Sequence, residues 1–478
     1  MKRLGCMALA AALSFSLLAP TGAFAAGAAE TGKYRNLFVE NGKTEAQVQD
    51  KIDAMWKQLF YGDDSNQRVF YPVGTDMGYI KDVANGDVRS EGMSYGMMVC
   101  VQLNKQEEFN RIWKWAKTYM LNPSGQFQGM FSWQCKTTGE VMDHTPASDG
   151  DEYFAMSLLF ASKRWGDSGA VNYNKEAQDL LDAMLHNADD GNGVNMFDLS
   201  QNLVVFDPIG DAAKFTDPSY NLPAFYELWA LWDKDDKDKA TWKKIIDSTR
   251  AYFHKATNST TGLSADYSNF DGSPKEVSWS SGHGDFRYDA WRTASNISVD
   301  YAWWQKDSWQ PTFADTIQSF FIKQGIGSYG NQFSVTGTKL SSDHSPGLVA
   351  MNAVTGLASD SKSKAFIDEL WSTSIPSGQY RYYDGMLYML GMLHVTGNFK
   401  IYGLNTSTPT PTTMYGDVNG DKKVNSTDYS LVKRYLLGTE TNLDLKAADV
   451  SGDGKVNSTD LSYIKRYILS TIDKFPAG

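Results

Sequence analysis

Positive charge is in short supply in this chain. Lys and Arg together number 45 against 56 Asp and Glu over 478 residues, for a net charge of −11. An acidic chain without basic clusters argues against nucleic acid and anionic membranes as partners. Cysteine is scarcer still, with three residues, one of them Cys6 near the start. Cys100 and Cys135 are too few to form a disulfide framework in a chain this long, and they make no Cys-x-x-Cys motif; a single disulfide between them stays open, with two buried thiols the preferred reading. The histidines, His144, His186, His254, His283, His344 and His394, are scattered without metal-ligand spacing, and no catalytic metal is expected. After the first 18 residues no run approaches the roughly 18 apolar residues that a membrane-spanning helix needs.

The long apolar run that does exist lies at the start. Met1-Lys2-Arg3, an apolar stretch to Leu18 and then Ala23-Phe24-Ala25 supply the charged, apolar and small-x-small parts of a secretory signal. Residues 1–25 are therefore expected to be removed on export, leaving an extracellular protein. Aromatic residues, by contrast, are plentiful at 13%, including 14 Trp and 25 Tyr. The flat faces of Trp and Tyr stack on the C–H faces of sugar rings, so an acidic, aromatic-rich secreted chain leans toward carbohydrate.

Residues 404–414, Leu404-Asn-Thr-Ser-Thr-Pro-Thr-Pro-Thr-Thr-Met414, form a Pro/Thr linker with nothing apolar to bury until its end. It separates a body, residues 26–403, from a small module, residues 415–473. The module repeats itself. Asp417, Asn419, Asp421, Asn425 and Asp428 carry side-chain oxygens at loop positions 1, 3, 5, 9 and 12, and Asp449, Ser451, Asp453, Asn457 and Asp460 do so again. With the backbone carbonyls of Lys423 and Lys455 at position 7, each loop has the donor spacing of a calcium loop. Each is followed by an amphipathic helix, with Leu431, Tyr435 and Leu436 on one and Ile464, Tyr467 and Ile468 on the other. A whole loop-helix unit stated twice is a packing unit rather than a solvated acidic turn.

The body shows helical periodicity throughout. Val48, Ile52, Met55, Trp56 and Leu59 share one face, as do Phe109, Ile112, Trp113, Ala116 and Met120. Further segments begin near Glu91, Gly150, Asn174, Leu222, Thr241, Asp289, Thr312, Pro346, Ser361 and Asp384, with strand-like pieces such as Gln332–Val335 in the loops. About twelve helices, several apolar on most faces (Tyr153–Trp165, Leu222–Trp232), predict an all-α (α/α)6 barrel of inner and outer helices. A long α-solenoid is the competing architecture, and no self-similar period in the body supports it.

Three acidic clusters open apolar helices: Asp87-Val-Arg89-Ser90-Glu91, with Ser90 placed to cap, Ser148-Asp149-Gly-Asp151-Glu152, and Arg287-Tyr288-Asp289-Ala-Trp291-Arg292. Helix-start acids are stabilised by the macrodipole alone. Three sets entering apolar helices call for a further polar reason. Arg89-Ser-Glu91-Gly-Met-Ser-Tyr-Gly-Met, Asp149-Gly-Asp-Glu-Tyr-Phe-Ala, Arg164-Trp-Gly166, Asp217-Pro-Ser-Tyr220-x-Leu-Pro, Tyr288-Asp289-Ala-x-Arg292 and Thr396-Gly-Asn398-Phe, in that order, resemble glycoside hydrolase family 8. The resemblance implies hydrolysis of a β-1,4-linked polysaccharide with inversion. It implies Glu91 as general acid and Asp289 as general base. Asp149 would help hold the distorted sugar, Tyr220 would position the attacking water, and Arg292 would accompany the base. Inversion needs a protonated carboxyl on one side of the bond and a carboxylate plus water on the other, so Glu91 is expected to titrate high.

Tyr34-Arg-Asn-Leu-Phe, Asp217-Pro-Ser-Tyr and Arg381-Tyr-Tyr-Asp look closest to the xylan-active branch, and within it to enzymes releasing xylose from reducing ends. Those carry a Leu-His-Pro kink that blocks the leaving-group side; this chain has Asp343-His344-Ser345-Pro346 in the matching place, so both exo and endo action on xylan stay open. A β-1,4-glucanase is the alternative enzyme, and a non-catalytic carbohydrate-binding subunit the alternative of another class. Trp133, Trp279, Tyr383 and Trp291 are candidates for sugar stacking, although Trp291 also fits core packing. The C-terminal repeat, with Asp at position 12 and the recurrent pairs Ser426-Thr427, Lys433-Arg434, Ser458-Thr459 and Lys465-Arg466, resembles a type I dockerin. That implies two structural calcium ions and a cohesin of a cellulosome-type scaffold as partner.

Overall fold

A computed structural model describes residues 26–189, 191–359, 361–404, 414–419, 423–439, 443–472 and 474–477. The expected signal segment, nearly all of the Pro/Thr linker and Asp421 lie outside the described residues. The chain divides into two compact units, one carrying residues 33–404 and the other the C-terminal residues from 414.

In the first unit twelve helices of nine residues or more are described. They are α1 (Glu45–Tyr61), α2 (Ser90–Gln102), α3 (Gln106–Tyr119), α4 (Ser148–Trp165), α5 (Tyr173–His186), α6 (Pro223–Trp232), α7 (Asp236–Ala256), α8 (Ala290–Trp304), α9 (Gln310–Gln324), α10 (Pro346–Val354), α11 (Ser363–Ser372) and α12 (Arg381–Val395). The even-numbered helices are buried almost all round; every residue from Ser148 to Ser162 in α4 and from Gly347 to Val354 in α10 is buried. The odd-numbered ones bury one stripe. In α3 it is Phe109, Ile112, Trp113, Trp115 and Ala116, while Glu107, Lys114 and Lys117 face out. An inner helix has neighbours on all sides and therefore carries no polar face, whereas an outer helix needs one. The result is an (α/α)6 barrel.

Neighbouring inner helices meet where the side chains are small. A Cβ at Gly150 of α4 would stand 2.5 Å from Ser90 Oγ of α2, and one at Gly391 of α12 would stand 2.8 Å from Ala350 of α10. Outer helices are fastened by polar ties. Arg250 of α7 holds Asp300 of α8 through two bonds, at 2.7 and 2.8 Å, and Glu227 of α6 at 2.9 Å. Three short sheets sit in the loops, all antiparallel: β1 (Phe70–Val73) with β2 (Met77–Ile80), β3 (Asp87–Arg89) with β4 (Gln134–Lys136) and β5 (Val141–Asp143), and β6 (Phe197–Asp198) with β7 (Leu203–Val204). Cys100 and Cys135 are buried and unbonded.

Some local expectations change. Ser90 does not cap α2: it is the first helical residue, and the cap is Arg89, which makes no side-chain cap bond. The pairing of Arg89 with Gln134 holds the strand right up to the helix and leaves no turn in which a serine could fold back. Helix α7 begins at Asp236, five residues before Thr241, because Asp235 caps a polar first turn that has no apolar period to read. Of Gln332–Val335, Phe333 alone forms bridges, to Phe286 and Lys339.

In the second unit the two copies pair through α13 (Ser426–Leu436) and α14 (Ser458–Ile468). Their core is symmetric: Val418 and Val450 come from the two loops, Val432 and Ile464 from the two helices. Leu436, expected on the buried stripe, is exposed, because Val432 occupies the facing position. Asn425 and Asn457 close capping boxes with Asp428 and Asp460, both fully buried.

Candidate active site

The acidic residues singled out above all stand in the first turn of an inner helix or just before it, so their proximity means that the helix N-termini converge at one end of the barrel. Glu91 is the second residue of α2, Asp149 the second of α4, and Asp289 precedes α8. Tyr220 ends a short 3-10 turn, Pro218–Tyr220, that leads into α6, while Tyr382 and Tyr383 open α12. Unsatisfied backbone N–H groups make such ends favourable places for carboxylates.

Arg292, in the first turn of α8 and buried, is the hub. Its Nη1 donates to Asp149 Oδ2 at 2.6 Å and lies 3.8 Å from Glu91 Oε2, while Nη2 pairs with Asp289 Oδ1 at 2.9 Å. Tyr95 of α2 also accepts from Nη1. The ring of Tyr220 lies 5.5 Å from the guanidinium, parallel to Phe206. Asp149 is closed off, whereas the side chains of Glu91 and Asp289 keep 17% and 25% exposure, so these two can be reached from outside. Two adjacent tyrosines then divide the pair: Tyr382 donates to Glu91 Oε1 at 3.1 Å, and Tyr383 donates to Asp289 Oδ1 at 2.8 Å. Gly92 permits this. A Cβ there would collide with the Tyr382 ring. Arg381 anchors the same turn on the backbone carbonyls of Asp64, Arg68 and Gly378.

Burial pushes the Glu91 carboxyl up to about 8. Asp289 and Asp149 add to the rise, and Arg292 and Arg89 oppose it. Burial also raises Asp149, against the pull of Arg292. A carboxyl still protonated at neutral pH thus faces the Asp289 side chain across one guanidinium, an arrangement in which one acid can donate and another accept at a single bond.

The remaining candidates fall in different places. Trp133 is half-buried just before β4, with the Arg89 guanidinium 5.5 Å from its ring; its carbonyl accepts from Ser90 N, which continues the β3–β4 ladder and ties it to the turn carrying Glu91. Trp279 is 57% exposed, its ring 6.3 Å from Phe215. Trp291 is buried, donates to the Asn331 carbonyl and packs 5.7 Å from Tyr383, a supporting position. Tyr383, expected to stack on sugar, has its hydroxyl committed to Asp289. His344 is tied at both nitrogens: Nδ1 donates to the Tyr329 carbonyl at 2.8 Å, and Nε2 lies 3.1 Å from Glu369 Oε1. Its neighbour Ser345 accepts from Asn331, which links the loop to Trp291. Sequence reasoning gave no role to Tyr382, Tyr95, Asp266 or His283. The Tyr-Tyr pair in the Arg381 motif was the available signal for Tyr382.

In the second unit Ser426, Thr427, Lys433, Arg434 and their counterparts Ser458, Thr459, Lys465 and Arg466 are all exposed. Asp449 accepts from the backbone of Gly452, Asp453 and Gly454, and Gly454 has φ +82° at loop position 6, where a calcium loop turns sharply. Asp417, Asn419, Lys423, Asn425 and Asp428 are described for the first loop.

Residues 74–397 match the profile described as glycosyl hydrolases family 8, and residues 415–469 match the type I dockerin domain. The chain is 42% identical over 383 residues to the reducing-end xylose-releasing exo-oligoxylanase Rex8A of Paenibacillus barcinonensis, covering 79% of this chain and 98% of that protein. It is 40% identical to a reducing end xylose-releasing exo-oligoxylanase of Halalkalibacterium halodurans, covering 79% and 96%. A xylobiose complex from Teredinibacter turnerae superposes with a TM-score of 0.75 at 43% identity, covering 78% and 99%. More distant, at 32% identity and 76% coverage of both chains, is Endoglucanase A of Acetivibrio thermocellus.

Proposed function

Because this chain belongs to glycosyl hydrolase family 8 and closes with a type I dockerin, we propose that it is an exported, scaffold-docked inverting hydrolase that removes xylose from the reducing ends of xylo-oligosaccharides. The observation that carries the chemistry is the Arg292 hub, which holds a high-titrating Glu91 and a reachable Asp289 on different nitrogens. The substrate rests on the relatives, since the exo-oligoxylanases match more closely than the glucanase and over nearly their whole length.

In this reading Glu91 gives its proton to the glycosidic oxygen as the bond breaks. Asp289 takes a proton from the water that attacks the opposite face of the anomeric carbon. Tyr383 and Arg292 fix the Asp289 carboxylate, and Tyr382 fixes Glu91. Tyr220, beside Arg292, is placed to orient that water. Asp149, closed off behind Arg292, supports the subsite that distorts the sugar through that arginine. Trp133 and Trp279 offer stacking faces. His344, held at both nitrogens, keeps the 341–346 segment in place at the start of α10 and so limits the leaving-group side. The calcium-loop residues fit two ions that would organise the module for a cohesin, with the exposed Ser-Thr and Lys-Arg pairs as its contact face.

The test is a time course on xylotriose followed by NMR. Xylose and xylobiose are expected, with the α-anomer of the newly formed end appearing first, and cellohexaose should be a poor substrate. Early β-anomer would mean retention. Rapid loss of xylan viscosity with mixed oligomers would replace exo by endo action, with Asp343 and Ser345 as the open side of the cleft.

A further inference from the structure

Two further carboxyl groups crowd the proposed base, Asp289. One oxygen each of Asp217, Asp266 and Asp289 lies within 4.8 Å of the others. Asp217 and Asp266 are buried. Asp266 is served on both oxygens: Oδ1 accepts from the Ala290 backbone at 3.1 Å and Oδ2 from His283 Nδ1 at 2.6 Å. Asp217 is served on one, where Oδ1 accepts from Ser219 N at 2.6 Å, while its Oδ2 is buried with no hydrogen-bond partner. Among the described residues, Arg292 is the guanidinium that pulls Asp217 down, and it already serves Asp149 and Asp289, while Arg287 acts on Asp266. His283 brings no second positive charge. Its Nε2 faces Ser280 Oγ at 2.8 Å, and burial together with Arg287 lowers its pKa. The other titratable groups facing Asp217 are the phenols of Tyr220, Tyr252 and Tyr267, all driven up by burial, which hold their own protons at neutral pH.

We propose that Asp217 works as a neutral carboxylic acid, with its proton on the otherwise unpartnered Oδ2 directed into the Asp266–Asp289 pair, and that the reaction therefore requires two protonated carboxyls, Glu91 and Asp217. Three full negative charges at this spacing, two of them buried, repel strongly. A buried acid beside a working carboxylate escapes by keeping its proton and donating it as a hydrogen bond. Burial, followed by the charge of Asp289, drives Asp217 in the same direction. Asp217 is a positioning residue: it acts on Asp289, which would face a second anion once Asp217 ionised. The inference rests on the reading of Asp289 as the base.

The test is the alkaline limb of kcat/KM on xylotriose, measured with the full calcium-loaded chain. In the wild type the limb should steepen to a slope of about −2 in log rate per pH unit, one proton from Glu91 and one from Asp217. Asp217→Asn keeps a neutral donor, so it should lose only about three- to tenfold at neutral pH and show a slope of about −1, whereas Asp217→Ala should lose about 100-fold or more. Asp217→Asn falling as far as Asp217→Ala, or a wild-type limb with a slope of about −1 throughout, would overturn the proposal. Should the Asn variant fail to fold by circular dichroism, the wild-type slope decides alone. Loss of turnover on soluble xylotriose after chelation, restored by a divalent cation, would mean that the three acids hold a metal instead, and would also overturn it. Failure of the base assignment would show elsewhere, as substantial activity in Asp289→Asn.

Discussion

Replacing Asp149 by Asn should move the alkaline limb of catalysis to lower pH. As the proposed general acid, Glu91 must be protonated to act, and a pKa of about 8 keeps it so at neutral pH; activity is then expected to be lost as pH rises through that value. Part of the rise comes from the Asp149 charge. Both carboxylates contact Arg292 Nη1, at 2.6 and 3.8 Å, so roughly 6 Å at most separates the two oxygens. At an effective dielectric near 20 a unit charge at that distance contributes about 3 kcal/mol, or about two pK units. Solvent reaching the exposed part of Glu91 reduces this. Arg292 Nη1, released from Asp149, then favours the Glu91 anion further, which acts in the same direction. The limb should therefore shift down by about one to two pH units. The assay is kcat/KM on xylotriose across the alkaline range, with the limb fitted separately from the plateau, so that any loss of sugar distortion lowers the level without moving the midpoint. A limb that stays near the wild-type position, or moves up, would refute the electrostatic account of Glu91.

Gly92→Ala should destabilise the barrel by about 1–3 kcal/mol, read as a lower midpoint in urea, and should lower kcat as well, because the new methyl displaces the Tyr382 ring from beside Glu91. Arg250→Met should cost about 3–5 kcal/mol in the same assay, since Asp300, fully buried, loses its bidentate partner; near-neutral stability would show that Gln310 and Lys306 suffice. Chelation should unfold the C-terminal module, seen by circular dichroism of the isolated residues 415–478, because donor oxygens gathered in two loops repel without their ion. Retained ellipticity would count against calcium.

What was legible depended on how local the cause is. Inner helices announce themselves by lacking a polar face, as α4 and α10 do, and acids placed at their starts, Glu91, Asp149 and Asp289, stand out because nothing apolar explains them. Apart from the Asp289–Arg292 pair, three residues apart, the partners of those acids come from across the chain. Tyr382 lies 291 residues from Glu91, and Arg292 143 residues from Asp149, so no spacing rule reaches them. Asp217 was visible within a motif, yet its orphan oxygen is a property of packing. Ser90 failed as a cap for the converse reason: capping is a local rule, and a strand pairing from a distant hairpin overrode it. In the module, the repeat disclosed the loops, but the exchange of Leu436 for Val432 in the core follows from how the two copies face each other.

The seam of the ring lies inside the active site. Glu91 enters on the first inner helix and Tyr382 on the last, and the same closure recurs where Gln102 donates to the Lys400 carbonyl, 298 residues away, and where Arg35 reaches Gly356. A chain emerging from its N-terminus therefore holds its acid long before it holds the group that orients it. Contacts this distant in sequence also form late in folding. Turnover in this protein is thus a reporter of completed closure. A nicked or C-terminally shortened barrel would keep most of its helices and lose the seam, and hydrolysis of a small substrate would register the loss before far-ultraviolet spectra did.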